Sequence, residues 1–261
     1  SLGVQDYLFL TIKSPALLPS LQAIKPLIGK DTTIITCMNG IPHWYFHKLD
    51  NKYANYKIKC LDPNLLIDTI LPPDNIVGSV VYPACEVLKP GTIRHIAGNR
   101  FSLGEPEGSE SDRLKFISDI LKRAGFRAPI QKNIRDEIWL KLIGNLSFNP
   151  ISALTGATLE QICNDQGTEA IVRAMMTEAK IIAEELGAKI NMSIEKRIEG
   201  ARKVGAHKTS MLQDIESGKP IEIDSIIIAV KELGELTCSP TPYIDTILNL
   251  TLQKAKLIGC L

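Results

Sequence analysis

The chain has 261 residues, 44% hydrophobic and 23% charged, with a formal net charge of +1. That is an ordinary globular composition, long enough for one large or two modest domains with proper cores. The near-neutral charge excludes a strong pull toward nucleic acid or an acidic membrane, and no stretch approaches the roughly 20 apolar residues of a membrane span.

The first half alternates strand and helix signals. Asp6 to Lys13 opens as a strand-like run, with Tyr7 to Ile12 rich in apolar, aromatic and β-branched residues. Ser14 can cap a helix running to about Ile28, which Gly29 ends. Thr32 to Met38 is a second β-branched run, closed by Asn39-Gly40. Two apolar runs with a helix between them predict a βαβ unit and hence a parallel sheet. Pro42 predicts the first turn of a helix through Trp44 and Phe46. Short strands follow at 76–82, 92–96 and 100–103, then a helix over about 111–124 stopped by Gly125, then a last strand from Phe126 to Ile130.

After Gln131 the strand signals almost vanish. Helices are predicted over roughly 133–149, 158–164, 168–186, 193–204, 221–236 and 242–259. Thr158 and Gln161 fit a capping box, and Gly187 and Gly234 suit helix C-terminal stops. This shift in texture sets the expected domain boundary near residue 131. No internal repeat or low-complexity segment occurs.

The sharpest segment is Trp139-Leu-Lys141-Leu-Ile-Gly-Asn145-Leu-Ser-Phe-Asn149-Pro150. Residues four apart on an α-helix drift by only about 40°, so Lys141, Asn145 and Asn149 form one polar stripe about 12 Å long. Leu142, Ile143, Leu146 and Phe148 occupy the other faces. Pro150 disfavours helical geometry at Asn149, so the helix is expected to end or bend there. Two amides can donate and accept hydrogen bonds to a polar ligand, and a lysine can donate a proton to oxygen. The competing reading is a solvated helix face carrying one lysine.

A second segment is Lys208-Thr-Ser210-Met-Leu-Gln213-Asp214, followed by Ile221-Glu222-Ile223-Asp224. Ser210 and Gln213 match a capping box, whose plain meaning is a helix start. Glu222 sits where a helix N-terminus favours a carboxylate. A functional Glu222 would instead face a cleft and hold a substrate hydroxyl.

These segments, with Thr11-Ile-Lys13 ending one strand and Asn39-Gly40 ending the next, carry a resemblance. Over essentially its whole length the chain resembles the ketopantoate reductase (2-dehydropantoate 2-reductase) family. The order and spacing of the motifs are specific, although each alone is not. The resemblance implies an α/β plus all-α fold. An incomplete Rossmann-type NADP-binding domain over residues 1–131 would precede an all-helical substrate and dimerisation domain over 132–261, like the C-terminal domain of 6-phosphogluconate dehydrogenase. The active site would lie between them.

It also implies chemistry: the NADPH-dependent reduction of 2-dehydropantoate to (R)-pantoate, a cytoplasmic step toward pantothenate and coenzyme A. Lys141 would be the general acid, and Glu222 would hold the substrate hydroxyl and help position Lys141. Asn145, Asn149 and Ser210 would bind the substrate's polar groups. Lys13 and Asn39 would line the nicotinamide end of the cofactor site. The partner is a small 2-oxoacid, with no nucleic acid and no membrane, and a homodimer through the helical domain is compatible with the resemblance.

Two departures stand out. The family opens with a strand, a G-x-G-x-x-G turn and a helix, whereas this sequence contains no G-x-G. By comparison roughly 60 to 75 residues are absent, including the first βαβ unit and the selector of NADP over NAD. A chain of only these residues is expected to bind NADPH poorly and to be inactive alone. Further, the family's Asn three positions before the serine is His207 here. That keeps open a related reductase acting on another 2-oxoacid or 3-hydroxyacid. The missing turn keeps open a non-catalytic interaction module.

The remaining candidates have plainer meanings. Six scattered cysteines without a C-x-x-C pair, Cys37 among them, read as free thiols in a reducing compartment rather than a zinc or disulfide framework. No secretory leader is read ahead of the first strand. His43 and His47 have a metal-compatible spacing but no third ligand, so no metal is expected. His95 reads as a packing or hydrogen-bonding residue, and Trp44, Tyr45 and Phe46 read as core.

Overall fold

A computed structural model describes residues 2–261, which divide into two compact units. The first takes the described residues through Lys57 with Leu65–Glu137; the second takes Ile58–Asn64 with Ile138–Leu261. Where the sequence changes texture near 131, the compact units part at Glu137, inside a helix.

The first unit contains β1 (Tyr7–Leu10), α1 (Ser14–Ile24), β2 (Thr33–Thr36), α2 (Leu66–Ile70), β3 (Ile76–Val81), β4 (Ala84–Lys89), β5 (Thr92–Ala97), β6 (Phe101–Gly104) and α3 (Asp112–Arg123). Its sheet has the order β1-β2-β3-β6. The first three strands are parallel and β6 runs antiparallel to β3. The four residues of β2 are buried throughout, as a β-branched strand between two parallel neighbours should be. Ile35, Val77 and Leu103 of the sheet pack against Leu114, Ile117 and Leu121 of α3. That helix is capped by Ser111, whose hydroxyl accepts from the Leu114 N–H.

Trp44, Tyr45 and Phe46 are buried, as expected of core residues. The Trp44 indole donates to Thr36 Oγ1 at 3.0 Å and its ring packs against Gly78, where an added Cβ would sit 2.5 Å from Cη2. Gly78→Ala should therefore cost about 1–3 kcal/mol by overpacking. Urea unfolding measures it, and an unchanged midpoint would mean the ring can shift freely.

Several local expectations are corrected. Residues 42–47 form successive turns rather than a helix: Tyr45 N–H donates to Pro42 O and His47 N–H to Trp44 O, and Lys48 adopts φ of 50°. The Tyr45 and His47 carbonyls that would continue a helix instead accept from the buried Arg135 guanidinium, both at 2.7 Å. Phe126 to Ile130 makes only isolated bridges, Arg127 with Arg100 and Ile130 with Leu103. Two elements went unforeseen, α2 and β4. The latter pairs with β5 in a separate hairpin whose exposed Val87, Ile93 and Ile96 blur the alternation that marks a strand.

The second unit is helical: α4 (Ile134–Thr155, its first turn counted with the first unit), α5 (Leu159–Asn164), α6 (Gln166–Glu185), α7 (Ile194–Val204), α8 (Ser210–Glu216), a π-helical turn (Asp224–Ile228) running into α9 (Ala229–Thr237), and α10 (Pro242–Leu257). Helix α6 is the hub, touching α5, α7, α9 and α10. Its Val172, Met175, Met176, Ala179 and Ile182 are buried. The buried Glu178 carboxylate accepts the N–H groups of Tyr243 and Ile244 at 2.9 Å each, closing the N-terminus of α10. Glu232 of α9 likewise accepts from the N–H groups of Lys59 and Cys60, which fastens the segment Ile58–Asn64 to this unit.

The capping box at Thr158 and Gln161 forms, and Gly187 sits just past α6 with φ of 88°. Helix α4 does not stop at Asn149 but continues through Pro150 to Thr155. A proline's φ is itself helical, and the residues flanking it, 146–153, are all buried, so packing overrides one missing hydrogen bond. Lys254 donates to the Ala153 and Leu154 carbonyls at the end of this helix. The cap of α8 is Thr209, whose hydroxyl accepts from Leu212 N–H, and Ser210 is the first helical residue. Gly234 lies inside α9, where a Cβ would come within 2.8 Å of Thr241, and the helix ends instead at Cys238 with φ of 56°. Among the described residues no helix is long and apolar enough to cross a membrane.

Candidate active site

In the first unit, Leu10 and Thr36 are register partners at the carboxyl ends of β1 and β2. Lys13 and Asn39 each follow three residues later, so adjacent parallel strands deliver both side chains to the carboxyl edge of the sheet. That edge is where open α/β sheets bind ligands. Lys13 is exposed at the start of α1 and Asn39 is half-buried. Gly40 completes the turn with φ of 86°, a conformation that costs glycine little. Cys37, just before this turn, is not marked as reactive: burial pushes its thiol up to about 11, with the nearby Ser79 a smaller opposing influence.

In the second unit, α4 presents the polar stripe that its spacing predicts. Lys141 and Asn145 are half-buried and Asn149 is buried at 5% exposure. The Asn149 Nδ2 has no hydrogen-bond partner in the protein. A buried, unsatisfied amide donor costs about 1–3 kcal/mol.

Lys141 is the perturbed group. Burial lowers its pKa to about 8; Glu222 opposes that shift and Arg197 adds to it. Glu222, 6% exposed, therefore acts on Lys141 from far along the sequence. Immediately after Glu222 comes the π-helical turn, an irregularity that often marks functional sites. Within it the buried Ser225 hydroxyl also has no hydrogen-bond partner.

Ser210 is exposed at the start of α8. The exposed His207 contributes its backbone: its carbonyl accepts from Leu159 N–H, tying this segment to α5. His43 faces Asp68 at 3.9 Å and His47 faces Asp74 at 3.1 Å. His95 hydrogen-bonds to the Gly98 carbonyl. Among the described residues no three His, Cys, Asp or Glu side chains cluster as metal ligands.

Two residues of this neighbourhood were missed. Gly144 lies between Lys141 and Asn145, and Arg197 of α7 lies over it. A signal was present, because glycine inside a helix costs about 1 kcal/mol relative to alanine and implies a close approach.

Known proteins resemble this chain in sequence and in fold. The family model for ketopantoate reductase PanE/ApbA matches residues 1–108, and that for the ketopantoate reductase PanE/ApbA C terminal matches residues 133–255. A 2-dehydropantoate 2-reductase from Mesorhizobium japonicum is 49% identical over 259 residues, spanning 99% of this chain and 79% of the relative. The chain belongs to the ketopantoate reductase family. Its members' names mark it as an oxidoreductase. A candidate ketopantoate reductase from Ralstonia solanacearum MolK2 superposes with a TM-score of 0.95 at 40% identity, covering 100% of this chain and 79% of that one. A D-mandelate dehydrogenase whose ternary structure holds NADH and anilino(oxo)acetate shares the fold, with a TM-score of 0.82 at 22% identity over 98% of this chain and 78% of its own. The α/β-plus-helical architecture of the ketopantoate reductase family is thus the fold of this chain.

Proposed function

We propose that the protein reduces the ketone of 2-dehydropantoate to give (R)-pantoate, using NADPH. One observation carries this reading: a half-buried lysine with its proton affinity lowered to about 8 lies under the influence of a buried carboxylate, on a helix that also carries an unsatisfied amide.

Lys141 Nζ is the general acid. As negative charge grows on the substrate oxygen, the ammonium stabilises it and then gives up a proton. A group titrating near 8 is still mostly charged at neutral pH and yields its proton far more readily than an ordinary lysine. Glu222 favours the charged lysine and accepts the substrate's hydroxyl proton in a hydrogen bond. Asn149, Asn145 and Ser210 hold the substrate's remaining polar groups.

A reduced nicotinamide, when bound, supplies the hydride. The donor set at the sheet edge fits one end of such a cofactor: a cation at Lys13 and an amide at Asn39 beside a glycine turn. The dehydrogenase that shares this fold was solved with NADH, so the choice between NADPH and NADH is part of the proposal. On this reading the reaction is cytoplasmic and leads toward pantothenate and coenzyme A, and two copies pair through the helical unit.

A second reading is a reductase for a different 2-oxoacid. His207 favours it, standing where the family pattern has Asn, and the same dehydrogenase was solved with an oxoacetate. Steady-state kcat/KM for a panel of 2-oxoacids, with NADPH and with NADH, separates the two in protein made from its complete reading frame. The expected result is the greatest efficiency with 2-dehydropantoate and NADPH. Another acid at tenfold higher efficiency overturns the substrate assignment.

A further inference from the structure

Helix α4 has a notch at Gly144. A Cβ built there would lie 2.2 Å from Arg197 Nη2, 2.7 Å from Nε and 2.8 Å from Cζ. All three distances are shorter than real Cβ atoms tolerate, so the guanidinium packs against the helix at Gly144 and a Cβ there would push the end of the Arg197 side chain out of its place. Residues three apart on a helix are neighbours on one face, which puts this notch next to Lys141.

We propose that Arg197, seated in the Gly144 notch, is a positioning residue of the reductase site: it sets a second cation on the face of α4 that carries Lys141. The inference deepens the function proposed above and rests on Lys141 being the acid.

The charged groups acting on Lys141 are Glu222, just ahead of the π-helical turn, and Arg197 of α7. They oppose one another: the carboxylate holds the proton on, and the guanidinium drives it off. Arginine suits the second role because it stays charged at any pH the enzyme meets, so its push on Lys141 is constant. Lys180 shares a small apolar recess with Arg197, alongside Leu140, Ile143, Ile190 and Met192, and pairs with Glu184 at 3.4 Å. Arg197 thus lines this recess among mostly apolar neighbours, a setting that screens charge less than open water does.

Three variants test this. Arg197→Met removes the charge and keeps most of the stem, Arg197→Lys keeps a charge, and Gly144→Ala leaves Arg197 intact but fills its seat. Alanine is a better helix former than glycine, so the third variant does not weaken α4 itself. The readout is the 15Nζ titration of Lys141 in labelled protein without cofactor, assigned by its loss in Lys141→Arg. The pH profile of ketone reduction is recorded in parallel. In Arg197→Met and Gly144→Ala the Lys141 midpoint should rise by roughly half a pH unit or more, and the alkaline fall in rate should move with it. Arg197→Lys should restore most of the parental profile.

A folded Arg197→Met or Gly144→Ala protein with an unmoved Lys141 midpoint overturns the proposal. If instead the midpoint moves but the rate profile does not follow, it is the assignment of Lys141 as the acid that fails.

Discussion

Replacing Lys141 by methionine should lower kcat for ketone reduction by about a thousandfold while leaving the protein folded and within about 1 kcal/mol of its original stability. The two halves have different causes. In catalysis nothing nearby can replace the ammonium as both charge stabiliser and proton donor. In folding, two effects nearly cancel: the variant is relieved of burying an amine, but Glu222 loses the positive charge that faces it. The pH dependence separates them further. The folded-state pKa, about 8, lies below the ordinary 10.5, so between those values the unfolded chain binds more protons than the native one. The parent's stability should therefore rise with pH across that window, and the full cost of the buried charge is present below it. The variant should lack this rise. The rate of reduction in the parent should fall above about pH 8 as the acid loses its proton. Steady-state kinetics and urea unfolding at several pH values check all three. Retained turnover in a folded Lys141→Met protein would remove Lys141 from the chemistry.

What could be read from the sequence depended on whether the signal was local. The stripe of Lys141, Asn145 and Asn149 follows from helical geometry alone, and the structure presents it as one run of half-buried to buried polar groups. Strand β2 was legible because its burial forces a continuous β-branched run, and β1 because Tyr7 to Leu10 is an unbroken apolar and aromatic run, although Tyr7 and Phe9 stay exposed. Where local signals failed, a distant partner decided. Pro150 is a helix breaker by propensity, yet tertiary burial carries α4 past it. Residues 42–47 have a helix-start proline, yet a buried arginine claims their carbonyls. The π-helical turn after Glu222 leaves no mark on a 3.6-residue periodicity read over so short a stretch. Gly144 did leave a mark, but its meaning needed Arg197, which lies in another helix.

Arg135→Ala should destabilise the first unit by about 3–5 kcal/mol, the largest single effect on stability expected here. The side chain is 4% exposed, and burial lowers its pKa. Its guanidinium is satisfied by three backbone carbonyls: Nε donates to Tyr45 O at 2.7 Å, Nη1 to Pro106 O at 2.5 Å and Nη2 to His47 O at 2.7 Å. It also lies over the Tyr45 ring, 5.5 Å from the centroid. Removing it takes the donor from three acceptors at once, and the turns over 42–47 have no helical ladder to fall back on. Those turns hold Trp44, Tyr45 and Phe46 in the core, so the loss should spread to the sheet at Gly78. Lysine cannot reproduce a three-way fork, and Arg135→Lys should recover less than half of the loss. The two tryptophans make the measurement specific, because Trp44 lies in the first unit and Trp139 in the second. In a Trp139→Phe background, urea unfolding followed by Trp44 fluorescence reports the first unit alone. A loss below about 1 kcal/mol would mean that water readily takes over the three carbonyls, and that Arg135 is not what keeps residues 42–47 out of a helix.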